Sequence, residues 1–228
     1  MKKFISSILF LLIAINSRSQ QLGQITFSWD ATISSFTFIT DQDVLIRISP
    51  DGKVLEWGIE IQSLRNANYY APSLQPFMGR VDYYGVEGDS VSMGKIKSIG
   101  TTLLTYYGPY ETVEKKGKLR SVGTVILDYF TNYENKDLRG KLRFAGNLVL
   151  EYYSSFDEEA FRGKLKAVGN TQIAYYSIFD DRLNKGKIKS IGPVKYTWYS
   201  SFERSEFRGS LKSGSYRMNI NGVTYIIR

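Results

Sequence analysis

The chain of 228 residues contains no cysteine and no histidine. Without cysteine it cannot form disulfides, thiolate metal sites or a thiol nucleophile, and without histidine it cannot form a Ser-His-Asp triad or an imidazole metal site. Hydrophobic residues still make up 43% of the sequence, which is enough for a core in a chain of this length. We therefore expect a folded protein without a cofactor, and the sequence excludes the commonest catalytic and metal-binding groups.

Long apolar runs are also scarce, and the clearest one lies at the N-terminus. Lys2 and Lys3 precede an apolar run over residues 4–15, and Ser17 and Ser19 supply small residues for cleavage before Gln20. This pattern predicts a cleaved signal peptide over residues 1–19, because the run is too short to cross the roughly 30 Å hydrocarbon core of a bilayer. The sequence predicts an exported protein of the periplasm, cell surface or extracellular space, without a transmembrane span or a lipoprotein anchor.

Removal of the signal peptide changes the charge. The whole chain has 30 basic and 22 acidic residues, a net charge of +8, and loss of Lys2, Lys3 and Arg18 leaves 27 basic residues and a charge of +5. Export also separates the chain from intracellular nucleic acid, so the basic excess is not interpreted as a nucleic-acid footprint of that kind.

Glycine followed by a basic-apolar-basic trio recurs at intervals of 23 residues. The five glycines are Gly94, Gly117, Gly140, Gly163 and Gly186, and a variant follows at Gly209. Fixed spacing without insertions indicates a tandem repeat over residues 94–208. Residues 61–93 are irregular or degenerate repeats, and β-rich runs in residues 20–60 predict N-terminal capping strands. Residues 209–228 contain the variant repeat and a closing hairpin around Asn221-Gly222.

Each repeat alternates in a way that predicts two strands. Leu165 and Ala167 alternate with basic residues, and Thr171 and Ile173 alternate with polar or small ones. We expect a three-residue loop at residues 168–170, with Ala167 opposite Thr171 and Gly163 opposite Tyr175. The predicted fold is all-β: an antiparallel meander of tandem 23-residue hairpins in an elongated twisted sheet, either open or curled.

The same alternation predicts two unlike faces. Leu165, Ile173, Tyr175 and Phe179 share an apolar, aromatic face, and the opposite face combines basic and aromatic side chains. The candidate ligand-contact residues on that second face are Lys118, Arg120, Lys141, Arg143, Lys164, Lys166, Lys187, Lys189, Tyr153, Tyr176 and Tyr199.

This basic face has two interpretations. It is either a solvated face balanced by cross-strand acids, such as Asp128 opposite Lys118, or a groove for an anionic polymer. The predicted register also places Arg162 across from Tyr176, in a geometry suited to a cation–π contact. The groove interpretation implies an envelope polysaccharide, a lipid headgroup or extracellular nucleic acid as the ligand.

The 23-residue period, Gly163-Lys164, Gly169 and Tyr175 together resemble the MORN repeat, a β-hairpin repeat, over residues 94–216. Ala167 stands where MORN repeats carry a further glycine. The resemblance implies an elongated, twisted antiparallel sheet used for scaffolding or for docking to membranes and proteins, and it transfers no functional residue.

Taken together, these patterns predict a non-catalytic exported repeat protein that acts as a binding scaffold or structural element of the cell envelope. Its expected partner is an anionic glycan, a lipid headgroup or an envelope protein. Two alternatives remain: a protein–protein docking module, and a carboxylate-dependent hydrolase with its site in residues 61–93. Candidate residues for that hydrolase site are Asn66, Tyr69, Tyr70, Asp82, Glu87 and Asp89.

Overall fold

A computed structural model describes residues 20–60 and 74–228. Within them the protein is all-β, as predicted, with twenty strands and one short 3-10 helix at Lys136–Leu138. The predicted signal peptide and residues 61–73 lie outside the described residues. No helix in the described ranges is long and apolar enough to cross a membrane.

Eleven strands form one antiparallel meander, named here the repeat sheet, in which each strand pairs with its neighbours in sequence. The strands are β6 (Val81–Tyr83), β7 (Ile96–Ile99), β8 (Thr102–Tyr106), β9 (Leu119–Val122), β10 (Val125–Tyr129), β11 (Leu142–Ala145), β12 (Leu148–Tyr152), β13 (Leu165–Val168), β14 (Thr171–Tyr175), β15 (Ile188–Ile191) and β16 (Val194–Lys195). A separate two-stranded ribbon follows, made of β17 (Thr197–Trp198) and β18 (Leu211–Ser213). The predicted meander of hairpins is confirmed.

The hairpin loops are one residue shorter than the alternation predicts. Val168 pairs with Thr171, so the loop contains only Gly169 and Asn170. Gly169 has φ +52°, which suits the first position of a two-residue II′ turn and is unfavourable for a residue with a Cβ. Because such turns match the twist of the flanking strands, the two-residue loop forms and the predicted pairing of Ala167 with Thr171 is wrong.

This shift in register also removes the predicted pair between Gly163 and Tyr175. Tyr175 instead pairs with Ile188 of the next hairpin. Its ring nevertheless leans back towards its own hairpin, where the hydroxyl donates to the carbonyl oxygen of Leu165 at 2.7 Å. Each such aromatic side chain therefore joins two hairpins instead of covering a glycine in one.

A β-bulge interrupts the alternation in every repeat. Glu151 pairs with Ala167 while Tyr152 pairs with Leu165, so Lys166 is an extra residue between two paired positions. A bulge lets two residues on one strand face one residue on its partner and re-aims the side chains. As a result Leu165 and Val168, three positions apart, both point into the core and are at most 2% exposed.

Seven strands from the two ends of the described chain form a second sheet, named here the cover sheet. Its strands are β1 (Gln21–Phe27), β2 (Ile33–Ile39), β3 (Leu45–Ile48), β4 (Val54–Glu60), β5 (Leu74–Pro76), β19 (Arg217–Ile220) and β20 (Val223–Ile227), in the order β19-β20-β1-β2-β3-β4-β5. The pairing of β1 with β20 is parallel, and the other pairings are antiparallel.

The cover sheet lies on the apolar face of the repeat sheet. Ile25, Phe36 and Ile46 of the cover sheet belong to one continuous core with Leu127 and Ile173 of the repeat sheet. We expected residues 20–60 to cap the array; they do form strands, but these strands extend across its face. The reason is that a sheet with one apolar face needs a second layer along its whole length.

Hydrogen bonds join the two sheets at several hairpin turns. They are Thr101 N to Gln42 Oε1 (3.2 Å), Thr124 N to Gln20 Oε1 (2.7 Å) and Asn221 Nδ2 to Thr171 Oγ1 (3.0 Å). The last contact comes from the C-terminal hairpin, where Asn221 (φ +51°) and Gly222 (φ +83°) form the predicted two-residue turn between β19 and β20.

Candidate functional site

The first lysine of each repeat faces inward. These inner lysines are Lys95, Lys118, Lys141, Lys164 and Lys187. Each ammonium donates to the carbonyl oxygen of the glycine that begins the next repeat; the distance is 2.6 Å for Lys118 to Gly140 and for Lys164 to Gly186. The same ammonium groups lie 4.6–5.5 Å from the ring centroids of the inner aromatics, Tyr106, Tyr129, Tyr152, Tyr175 and Trp198.

Backbone geometry explains why the inner lysines do not follow the alternation. Gly163 has φ +72° and turns the chain, and the strand begins only at Leu165, so Lys164 precedes the region in which residues alternate between faces. Burial lowers the pKa of Lys164, because the partly enclosed site disfavours the charged form, while the carbonyl and ring contacts hold the ammonium in place.

Four of the predicted ligand-contact residues therefore have an internal role. Lys118, Lys141, Lys164 and Lys187 bind the backbone of the following repeat, so their prediction as part of an outward basic face is wrong. Lys164 also donates to the carbonyl oxygen of Asp30 at 2.6 Å, which ties the repeat sheet to the cover sheet.

The second basic residue of each repeat is the extra residue of the β-bulge. These bulge cations are Lys97, Arg120, Arg143, Lys166, Lys189 and Lys212. Each lies 5.2–5.8 Å from the ring centroid of an outer aromatic of the preceding repeat: Tyr84, Tyr107, Phe130, Tyr153, Tyr176 or Tyr199. They lie on the face of the repeat sheet that the cover sheet leaves free.

The bulge cations differ in their ionic partners. Lys97, Arg143 and Lys212 lie 2.8–3.3 Å from a turn carboxylate. For Arg120 and Lys189, which are exposed, and Lys166, which is half-buried, the described ranges show ring contacts and no ion pair within 4 Å. Repetition therefore produces an ordered row of cations in which these three have no carboxylate within 4 Å among the described residues.

The outer aromatics, by contrast, do not offer free stacking faces. Tyr153 and Tyr176 are half-buried, and their hydroxyls donate to carbonyl oxygens of the next hairpin at 3.1 and 2.8 Å. Burial also raises the pKa of both phenols. Tyr199 is half-buried against Phe207, with ring centroids 5.3 Å apart. All three predicted platform residues lie beside bulge cations, and Tyr153 and Tyr176 also join adjacent hairpins through their hydroxyls.

Two predicted charge arrangements are not formed. Asp128 does not lie opposite Lys118: it pairs across the sheet with Phe144, and its carboxylate lies 2.5 Å from Lys115 Nζ. The predicted contact of Arg162 with Tyr176 is replaced by that of Lys189 with Tyr176. Both corrections follow from the two-residue loop, which moves the pairing within each hairpin by one residue relative to the predicted register.

A third set of aromatic side chains projects into solvent at the turns between hairpins. These turn aromatics are Tyr110, Tyr133, Phe156, Phe179 and Phe202, and each is at least 88% exposed. The prediction that Phe179 belongs to the buried face is therefore wrong, because the alternation of β14 ends at Tyr175. The signal for this set was present in the sequence: an aromatic residue followed by Asp or Glu, at intervals of 23 residues.

In three of the repeats the acid that follows the turn aromatic accepts hydrogen bonds from the first residue of the turn and holds the turn in shape. Asp157 accepts hydrogen bonds from the backbone N (2.5 Å) and hydroxyl (2.8 Å) of Ser154, and Glu134 makes the same pair of contacts with Thr131. Ser or Thr at the first turn position and an acid at the fourth are typical of side-chain-supported β-turns. These acids fix the loop and leave the ring between them outside.

The carboxylates proposed for a hydrolase are occupied by local contacts. Of that candidate set, Asn66, Tyr69 and Tyr70 lie outside the described residues. Asp82 contacts Arg80, Glu87 contacts Lys97, and Asp89 accepts from Ser92. Hydrogen bonding to Arg80 lowers the pKa of Asp82, whereas a general acid needs a raised pKa. The described residues contain no group of three or more acids that could hold a metal ion.

A cavity of about 350 Å³ lies between the two sheets beside Lys141 and Lys164. Ile33 and Pro50 of the cover-sheet side and Tyr152 of the repeat sheet line it. The ammonium groups of Lys141 and Lys164 already donate to the carbonyl oxygens of Gly163 and Gly186. The polar groups that line this cavity between the sheets therefore have a structural role.

No protein-family model, curated protein or solved structure matches the chain. The fold and its surfaces define a two-layered all-β protein in which tandem hairpins present equivalent side chains at regular intervals. The MORN resemblance stays a prediction that rests on the glycines, lysines and tyrosines of the repeat.

Proposed function

We propose that this chain is a non-catalytic, exported binding scaffold that contacts anionic polymers of the cell envelope through its bulge cations. The observation that supports the proposal most directly is the row of Arg120, Lys166 and Lys189 on the uncovered face, each set by a bulge and lacking a paired acid in the described residues. Bulges commonly re-aim side chains at functional positions.

The spacing of this row suits a polymer. Equivalent strands of successive hairpins lie roughly 9.5 Å apart, twice the separation of neighbouring strands. Lys166 and Lys189 are one such interval apart, and Arg120 is two intervals from Lys166, with Arg143 and its partner Glu134 between them. Cations at these intervals attract a chain with repeating negative charges, and the attraction is screened by salt. The contacts of each cation with a half-buried ring limit its movement, so little ordering is needed on binding.

The experiment is a titration of the purified protein with dextran sulfate and with vesicles containing acidic lipid, over a series of salt concentrations. A variant with Arg120→Gln, Lys166→Gln and Lys189→Gln is expected to lose at least about tenfold in affinity at low salt. The matched control is Lys116→Gln, Arg139→Gln and Arg162→Gln, which removes the same charge from exposed positions at the turns.

The control separates a specific row from net charge. Equal losses in both triple variants, or binding that does not change with salt, would contradict the proposal. The proposal is supported if the control variant keeps its affinity while the variant of Arg120, Lys166 and Lys189 loses it. Circular dichroism and the urea midpoint establish that each variant is folded.

A further inference from the structure

We propose that the turn aromatics form a second binding edge, which takes a neutral, extended, β-linked polysaccharide chain by stacking sugar rings on aromatic rings. This inference concerns Tyr110, Tyr133, Phe156, Phe179 and Phe202 and goes beyond the bulge cations and their anionic ligand.

The exposure of these rings is the first observation. The exposed fraction is 88% for Tyr133, 90% for Phe179 and 96% for Phe156. Single exposed apolar residues are ordinary, but here an exposed aromatic ring recurs at the equivalent position of five turns. The first two positions carry Tyr and the last three carry Phe, so the shared chemical feature is the face of the ring.

Four of the turns lie on the same edge of the repeat sheet, and the turn of Phe202 belongs to the two-stranded ribbon that follows. Equivalent turns of the sheet are separated by roughly 9.5 Å, so the first four rings extend over on the order of 30 Å. This interval is comparable to a disaccharide unit of an extended β-linked chain. One polymer could therefore meet each ring with an equivalent sugar.

The turns are connected to one another, which keeps the interval fixed. Asn135 donates to Ser155 Oγ at 2.6 Å, and Asp181 accepts from Ser201 Oγ at 2.6 Å. Between these, Glu158 accepts from the backbone N of Ile178. The rings thus stand on a preorganised edge, where binding loses little conformational entropy.

Charge at this edge indicates a neutral ligand. Four of the five turn segments carry two acidic and two basic residues each, and segment 154–162 carries three acids and one base. An acid directly follows every turn aromatic, so a strongly anionic polymer or an acidic membrane would meet a carboxylate beside each ring. The edge is therefore unlike the row of bulge cations.

The distribution of apolar surface favours a sugar over a lipid or protein. Rings roughly 9.5 Å apart do not form one continuous apolar patch. Between them lie polar and charged turn residues, together with the exposed apolar side chains of Val113, Ile178 and Phe207. A sugar ring has an apolar C–H face and a rim of hydroxyls, so it can stack on the aromatic ring while its hydroxyls meet the polar residues alongside.

The experiment measures binding of the purified protein to cello-oligosaccharides and chito-oligosaccharides of increasing length by calorimetry. Affinity is expected to rise with chain length and to be insensitive to salt. The variant Phe156→Ala with Phe179→Ala is expected to lose about tenfold or more in affinity, as for truncation of binding hot spots. The matched control is Ile126→Ala with Val149→Ala, two exposed apolar residues on the uncovered face of the sheet.

Absence of binding to every neutral oligosaccharide, or equal binding by the double alanine variant, would overturn the proposal. It would also be overturned if the two phenylalanines proved necessary instead for self-association in ultracentrifugation or for binding to neutral phosphatidylcholine vesicles. Dextran sulfate binding is measured separately in both variants, so that failure at this edge is distinguished from failure at the bulge cations.

Discussion

Lys164 and Lys166 differ by two positions in sequence and occupy opposite environments. Lys164 precedes the strand, donates to Gly186 and Asp30, and lies beside the inner ring of Tyr175. Lys166 is the extra residue of a bulge and lies on the uncovered face beside Tyr153. The comparison shows that backbone geometry, through a glycine of positive φ and a bulge, places one lysine between repeats and the other on the uncovered face.

Alkaline pH should have the largest effect, because it ionises the buried tyrosines beside the inner lysines. Burial raises the pKa of the inner tyrosines Tyr106, Tyr129, Tyr152 and Tyr175 well above the usual value. In the unfolded chain tyrosine ionises near pH 10, so this contribution is complete below about pH 10 and is lost as pH rises above it. We expect cooperative unfolding in that pH range. Tyrosinate absorbance and circular dichroism would measure it.

The inner lysines act in the opposite direction. Burial lowers their pKa, so the folded state gains stability as they lose protons, and this gain is complete above the unfolded value of about 10.4. The tyrosines are more deeply buried and should dominate. Gradual tyrosine ionisation near pH 10 with the sheet intact would contradict the inner placement of these rings.

Truncation of an inner ring should have the next largest effect. Tyr175 is 5% exposed, and Tyr175→Ala is expected to lower the free energy of unfolding by about 3–5 kcal/mol. Tyr175→Phe keeps the ring and loses only the bond to Leu165, which costs about 1 kcal/mol. Phe179→Ala, at the exposed turn, should change stability by less than about 0.5 kcal/mol. Urea denaturation measures all three.

The substitution Lys164→Met should have the third largest effect. The substitution keeps the length of the side chain but removes a charged donor from the carbonyls of Gly186 and Asp30, at an expected cost of about 1.5–3 kcal/mol. Added salt should change this cost little, since the contacts are partly enclosed. If urea denaturation shows that Lys164→Met lowers the free energy of unfolding by less than about 0.5 kcal/mol, the inner lysines are not structural donors.

Lys166→Met should have the smallest effect. Its cation–π contact with Tyr153 is at the edge of solvent and is worth about 0.5–1 kcal/mol at most, and the methionine retains part of the packing. We expect a change in unfolding free energy within about 0.5 kcal/mol. If instead Lys166→Met destabilised the protein as much as Lys164→Met, the distinction between the two lysines would fail.

Local signals in the sequence were sufficient for much of the fold. Period-two alternation predicted the hairpins, and Asn221-Gly222 predicted the C-terminal turn, because both depend on neighbouring residues. The bulge at Lys166 could not be predicted from alternation, since one extra residue reverses the face of everything that follows. Lys164 and Phe179 were misplaced for a different reason: the alternation was extended past the strand ends at Leu165 and Tyr175, which placed Lys164 outside and Phe179 inside.

The cover sheet could also not be predicted from short sequence patterns. Its parallel pairing of β1 with β20 joins residues about as far apart as the described chain permits, and no short motif encodes it. The turn aromatics could have been found by aligning the repeats position by position, because the Ser/Thr and Asp/Glu around each ring already indicate a turn.

The cover sheet also has a consequence for how the protein can evolve. Tandem hairpins can in principle gain or lose a unit by duplication or deletion, and an open array tolerates this because each repeat contacts only its neighbours. Here Gln42 meets the turn after β7, Gln20 the turn after β9, and Asn221 the turn after β13. The cover sheet thus fixes the number of repeats that fit beneath it. Adding or removing one repeat would misalign those contacts.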